Sequence, residues 1–216
     1  MSFCIAISDV DWAQTKDLVS VVGAGITALG VIVASYVGVN GLATWRKQIG
    51  GQNDHELSRR MLIELYKFKQ VFSNSRTPSV YPYEVQQVGD PAFNHSVIDR
   101  FKRQQLGFYR RIKAINLEYA TLSVSMFEAE ALWGREVVKY IRNLELLKDE
   151  FEDYVALKLL TIDPDESEED RQDQKEFLDA RRTVFIKRLE GRDLFGDDLD
   201  NVSEKLEQLL KSKLIR

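Results

Sequence analysis

Arg100, Arg103, Arg110 and Arg111, with Gln104 and Gly107 among them, project onto one side of a predicted helix. Ile98, Phe101, Phe108 and Ile112 lie opposite. A guanidinium offers a planar fork of donors that matches phosphate oxygens, and a central glycine leaves room for a ligand to approach. The chemistry on offer is binding rather than bond-breaking: a nucleotide, an RNA backbone, a lipid headgroup or a protein partner could sit on this face. Packing explains the same pattern in another way. Residues 145 to 170 carry 11 acidic side chains against Lys148 and Lys158, so a basic helix facing an acidic one, within or between protomers, would use the arginines internally.

Other candidates are weaker. His55 and His95 stand in different segments, without cysteine or a second histidine at metal-ligand spacing. Neither is preceded by arginine or asparagine at the spacing of helical ribonuclease motifs. Pro164-Asp165 followed by Asp173-x-Lys175 mimics a metal-dependent nuclease pattern, but that pattern needs a strand hairpin and here enters a charged helix. Asp163, Asp165 and Ser167 begin like a calcium loop; Glu168 then stands where glycine is required and Gln174 where the bidentate acid belongs. Gly23-Ala24-Gly25-Ile26-Thr27-Ala28 resembles a dinucleotide fingerprint, yet no carboxylate follows before Asp54. Glu128 and Glu130 beside Trp133 read as helix surface. No phosphate loop and no nucleophile elbow occurs. The reading is non-enzymatic, with no cofactor and no metal.

The elements that position these residues begin with an apolar run. Leu18 to Val39 are 22 consecutive positions without a formal charge. At about 1.5 Å of rise per residue, a helix of this length matches a hydrocarbon core roughly 30 Å thick. Lys16 alone precedes the run, against Asp9, Asp11 and Asp17; Arg46, Lys47, Arg59 and Arg60 follow it. Positive flanks stay cytoplasmic, so residues 1–17 form a short extracytoplasmic tail, 18–45 the transmembrane helix and 46–53 a juxtamembrane linker. Residues 54–216 then form a cytoplasmic all-α domain. Trp12 and Trp45, with Arg46 and Lys47, are placed as anchors at the two interfaces.

Gly23, Thr27, Gly30, Ala34, Gly38 and Gly41 follow steps of four, three, four, four and three, one narrow stripe on a helix. Small residues let helix backbones approach closely in lipid, where association comes from packing. With no second span in sight, the stripe implies a homo-oligomer, and a pore would bring it and Asn40 near the axis.

Beyond the run, Gly50-Gly51 is expected to break the chain, with Asn53 or Asp54 capping a helix over 54–73. Leu57, Met61, Leu65, Phe68 and Phe72 recur on its inner face. Residues 74–95 hold Pro78, Pro82 and Pro91 and read as a long loop. Ser96 to Thr161 lack proline and form one helix or two, Trp133-Gly134 being the natural break. Leu144, Leu147, Phe151, Tyr154 and Val155 mark the later inner face. An acidic connector follows, then helices over 171–190 and 199–214, the first ending near Gly191. The net charge of −4 gives no general pull toward nucleic acid, and a single cysteine, Cys4, excludes an intrachain disulfide framework.

The run Thr44-Trp45-Arg46-Lys47-Gln48-Ile49-x-Gly51, then Glu56-Leu57-x-Arg59-Arg60-Met61-Leu62 and Tyr66-Lys67, resembles a group of bacterial single-pass membrane proteins. Their pattern is close to TWRRQLxG, ELARRLL and YKxRDAI, and the match covers roughly residues 40–78. Lys69-Gln70 stands where Arg-Asp is usual, and Arg76-Thr77-Pro78 where Arg-Asn-Pro is usual. The resemblance implies a bacterial inner-membrane protein of the same topology and supplies no catalytic residue. In architecture alone the chain is similar to small membrane effectors of bacterial antiviral systems, whose helical domains gate oligomeric pores. The expectation is therefore a pore-forming or membrane-perturbing effector; the alternative is a membrane-tethered adaptor that recruits a soluble partner.

Overall fold

In the computed structural model the described residues are 9–90, 96–186 and 191–214, with side chains described throughout except at 9–14, 43 and 47. Among them there are only helices: α1, Asp9–Ser75; α2, Pro82–Val85; α3, Val97–Trp133; α4, Glu136–Leu160; α5, Glu168–Asp179; and α6, Leu194–Leu214. The chain is all-α. It divides into two compact units at Gln52–Asn53.

The first unit is helical throughout its described part. One stretch of α1 is long and apolar enough to cross a membrane, and none of that stretch is buried within the protein. Its backbone polar groups are paired along the helix, the condition for a segment placed among hydrocarbon.

The second unit is a bundle with one apolar core. Leu57, Met61, Leu65, Phe68 and Phe72 are all fully buried, as their spacing predicts. Phe72 meets Phe68 edge-on at 5.4 Å, Phe151 at 5.4 Å and Phe195 at 5.8 Å. Such tilted ring pairs add about 0.5–1.5 kcal/mol each beyond the area they bury. Helix α4 lies centrally, packed on α3, α5 and α6. Leu144, Leu147, Phe151 and Val155 of α4 are buried, and Tyr154 packs half-buried against them.

Three boundaries follow local chemistry. Ser96 starts α3, its hydroxyl accepting from the Asp99 amide at 3.0 Å. Ser167 caps α5 in the same way through Asp170. Gly134 ends α3 with φ of +81°, a backbone state that L-residues with a Cβ rarely adopt.

Two expectations need correction. The backbone remains helical through Gly50-Gly51, so no break or fresh cap occurs at 50–54 and the linker expected over 46–53 is helix. The carboxylate of Asp54, free to cap in sequence terms, accepts instead from Trp133 Nε1 at 2.8 Å. The helix expected over 171–190 starts earlier and stops at Asp179. Val184 and Phe185 must enter the core from a non-helical segment, which the Ile186 amide fixes by donating to the Arg76 carbonyl at 3.0 Å. Residues 187–190 lie outside the described residues.

Candidate functional site

The small-residue face of the first unit is open. A Cβ built on Gly23, Gly30, Gly38 or Gly41 would meet nothing within 4 Å. Ala34 and Thr27 are exposed with them. The Thr27 hydroxyl donates to the Gly23 carbonyl at 2.8 Å, and Thr44 to Asn40 at 2.9 Å. Each hydroxyl thus finds its acceptor within its own helix and leaves no free donor. The bulkier Leu29, Ile32 and Tyr36 are exposed as well, so among the described residues nothing covers either side. Trp45 and Arg46 are exposed beyond the apolar stretch. The side chains of Trp12 and Lys47 lie outside the described residues.

In the second unit the arginine face divides. Arg111 is buried against the loop that follows α1. Its Nη1 donates to the Thr77 carbonyl at 2.5 Å, and its Nη2 to the Ser79 carbonyl at 2.6 Å and Glu84 Oε2 at 2.8 Å. Arg110 donates to the Glu84 carbonyl at 2.5 Å and to Asp90 Oδ2 at 2.9 Å. The Arg110 bond, with the Gln87 amide, holds the Asp90 carboxyl below its usual range. These two guanidiniums fasten the loop onto α3: all three Arg111 nitrogens donate to it, and Arg110 donates to it through both terminal nitrogens. Arg100 and Arg103 lie further toward the α3 N-terminus, Arg100 exposed and Arg103 half-buried. The four arginines therefore do not converge on one ligand.

Gly107 also has a different role from the one its position suggests. The space above it is filled by Val80: an added Cβ would fall 2.2 Å from Val80 Cγ1 and 2.8 Å from Cγ2. The glycine admits the protein's own loop, not an external ligand. Nor does the acidic stretch 145–170 neutralise this face, because Arg110 and Arg111 use Glu84 and Asp90. Lys148 instead pairs along α4 with Asp149 at 2.7 Å and Glu152 at 3.1 Å.

Sequence reasoning missed a second clamp. Arg76 is almost fully buried, donates through Nε to the Val184 carbonyl at 2.7 Å and pairs with Asp193. Its guanidinium lies 5.0 Å from the centre of the Phe195 ring. Asp193 also accepts from the Gly196 amide at 2.9 Å, capping α6. Burial raises the Asp193 pKa, but Arg76 and this amide outweigh it and hold the carboxyl below its usual range. The available signal was an arginine three residues past a predicted helix and two before Pro78.

A groove of about 560 Å³ runs between α1 and α3, lined by Arg60, Glu64, Leu117, Val124, Ser125 and Glu128 among others. Glu64 Oε2 is buried there without a hydrogen-bond partner. Burial pushes the Glu64 carboxyl up. Lys158, facing the Phe185 ring at 4.5 Å, is pushed down by burial and by the charge of Arg111.

His55 is exposed, and His95 lies outside the described residues. Asp165 is on a turn while Asp173 and Lys175 ride on α5, so the strand hairpin of a nuclease centre is replaced by helix. Among the described residues no three His, Cys, Asp or Glu side chains gather to hold a metal ion. Compared with protein families, with curated proteins and with solved structures, the chain matches none.

Proposed function

We propose that the chain is a non-enzymatic, homo-oligomeric, membrane-anchored protein that perturbs or opens a bacterial inner membrane. The observation that carries the proposal is a helical stretch of α1, long enough to cross a bilayer, with no part buried in the protein and its small residues aligned on one open face. A single span packs in lipid only against other chains, and the Gly23–Gly41 stripe suits copies of itself. The basic residues after the stretch support a cytoplasmic bundle with the N-terminus outside. In a pore, the stripe and Asn40 face the axis. The role in antiviral defence rests on architectural likeness alone.

Dye release from liposomes tests the proposal. Purified chain is expected to release dye, and Gly30→Leu or Gly38→Leu to abolish release by keeping backbones apart. Tight vesicles with an intact oligomer would sink the pore. A monomer by mass in detergent would sink oligomerisation too.

A second reading, a tethered adaptor, is favoured by the loop after α1. Arg110 and Arg111 hold it in place while Tyr81 and Tyr83 stack at 5.5 Å on its exposed side. A rigid pair of exposed aromatic rings is a fair docking point for a soluble protein.

A further inference from the structure

Helices α3 and α4 each carry a face that the bundle does not use. On α3, Lys113, Leu117, Ala120, Val124, Phe127 and Ala131 follow steps of four, three, four, three and four, the spacing of a helix–helix contact, and all are exposed. On α4, Lys139, Arg142, Leu146, Asp149 and Asp153 follow steps of three, four, three and four and are exposed too. The buried Ile115, Leu122 and Ala129 lie opposite the first face, and Leu144, Phe151 and Val155 opposite the second. Val124 is 70 % exposed, Phe127 65 % and Leu146 66 %, so each face sets bulky apolar groups in water. Lys113, Arg142 and Asp153 have no ion-pair partner among the described residues.

We propose that the α3 face of one copy lies antiparallel on the α4 face of the next. This rests on the homo-oligomer proposed above and names the surface through which its bundles join. Laid this way, the α3 helices of the two copies run parallel, so both spans point the same way, as a shared bilayer requires. Register follows from the fold. Helices α3 and α4 run antiparallel from the turn at Gly134, so positions equidistant from it lie level: Lys148 sits over the Tyr119 ring at 5.8 Å, and Arg111 acts on Lys158. Rotation about an axis along these helices keeps level positions of neighbouring copies opposite each other. Val124 then meets Leu146, Phe127 meets Arg142, and Leu117 meets Asp153, whose carboxylate reaches Lys113 one turn away. The apolar centre thus pairs with an apolar centre, and both ends pair by charge. At one end Lys113 finds Asp153 and Asp149; at the other the Phe127 ring and Glu128 find Arg142 and Lys139. Glu128 already pairs with Arg60, but both remain about half exposed, leaving a carboxylate oxygen for a second cation. The whole α3 face lies level with residues 138–156, inside α4, so no part of the pattern overhangs its partner. The contact is heterologous: each copy offers α3 to one neighbour and α4 to the other, and repetition about an axis closes a ring.

The test uses the full chain in detergent with Cys4, its only cysteine, changed to serine. One chain carries Val124→Cys and another Leu146→Cys, and the two are co-expressed, so no chain holds both cysteines and no internal bridge competes. Oxidation is expected to give a disulfide dimer joining the two kinds of chain, and little from either variant alone. Arg142→Glu on the Leu146→Cys chain is expected to lower that yield severalfold. Lys113→Glu on the first chain or Asp153→Lys on the second should do the same, and the two together should restore most of it. All of these positions are exposed, so the core of the bundle is untouched. No mixed dimer in a preparation that is oligomeric by mass overturns the α3–α4 contact and leaves an oligomer held by the spans. A yield matched by either variant alone, or indifferent to the charge reversals, marks random collision and overturns the contact as well. A monomer by mass overturns the oligomer and this contact together.

Discussion

Leu29 and Leu65 are both leucines in a long helix, yet Leu29 is 63 % exposed and Leu65 is 1 % exposed. Around Leu65 the second unit supplies Phe68, Phe72 and the faces of α3, α4 and α6. Around Leu29 the described residues supply no cover. Burying a leucine stabilises a fold by about 1.5–3 kcal/mol, so an exposed apolar run is stable only where something outside the chain covers it. On our reading a bilayer and a second copy do so. Two patterns of periodicity distinguish the regions: the second unit alternates inner and outer faces, while the first is apolar all round.

The largest break in this comparison comes from truncating one large side chain in each region. Phe72→Ala removes a ring that touches three others, and should lower unfolding free energy by about 3–5 kcal/mol. Leu29→Ala should leave the denaturant midpoint of the bundle where it is, within about 0.5 kcal/mol. Chemical denaturation in detergent, followed by circular dichroism, measures both. Equal effects would mean that the two regions share one core.

The arginines sharpen the comparison within the second unit. Arg111→Ala leaves Glu84 and the carbonyls of Thr77 and Ser79 without their donor, and should cost about 3–5 kcal/mol. Arg111→Lys should recover little, because an ammonium cannot reproduce the planar fork. Arg103→Ala should fall within about 0.5 kcal/mol of the native chain. Thermal melting ranks the three, and limited proteolysis between Arg76 and Asp90 reports loop release. An Arg103 effect as large as that of Arg111 would contradict the division of the cluster. Gly107→Ala comes next, at about 1–3 kcal/mol, since the new methyl group overlaps Val80. Val80→Ala in that background should return part of the loss.

These contrasts explain what the sequence made legible. Helical spacing marked Leu57, Met61, Leu65, Phe68 and Phe72, because burial in a helix imposes a period that any reader can count. Gly134 was legible for a similar reason: a glycine between two apolar-periodic stretches marks a reversal. Gly50-Gly51 misled because glycine lowers helix propensity by only about 1 kcal/mol per residue, which flanking helix can override. The arginines misled more deeply. Arg103 and Arg111 lie on the same predicted face, but only Arg111 meets the loop, and that meeting depends on Glu84, 27 positions away. Arg76 and Asp193 are 117 positions apart. Local spacing carries no information about such partners, so the small-residue stripe was readable and both clamps were not.

The smallest effect is a pH dependence at Glu64. Its carboxyl is raised above the ordinary value of 4.5, chiefly by burial, although Ser125 and Arg60 oppose the shift. In the folded state the protonated form is therefore favoured more than in the unfolded chain. This contribution is fully present below pH 4.5 and is lost as pH rises through the folded value. Glu64→Gln cannot ionise and escapes that loss. The variant should thus gain on the native chain as pH increases from 4.5, the difference in melting temperature growing and then levelling once Glu64 is ionised in both states. Paired melts from pH 4 to pH 8 measure it. A difference that shrinks over this range would mean that Arg60 dominates and that the unpartnered oxygen is solvated after all, which would in turn make the groove between α1 and α3 a wet surface rather than part of the bundle.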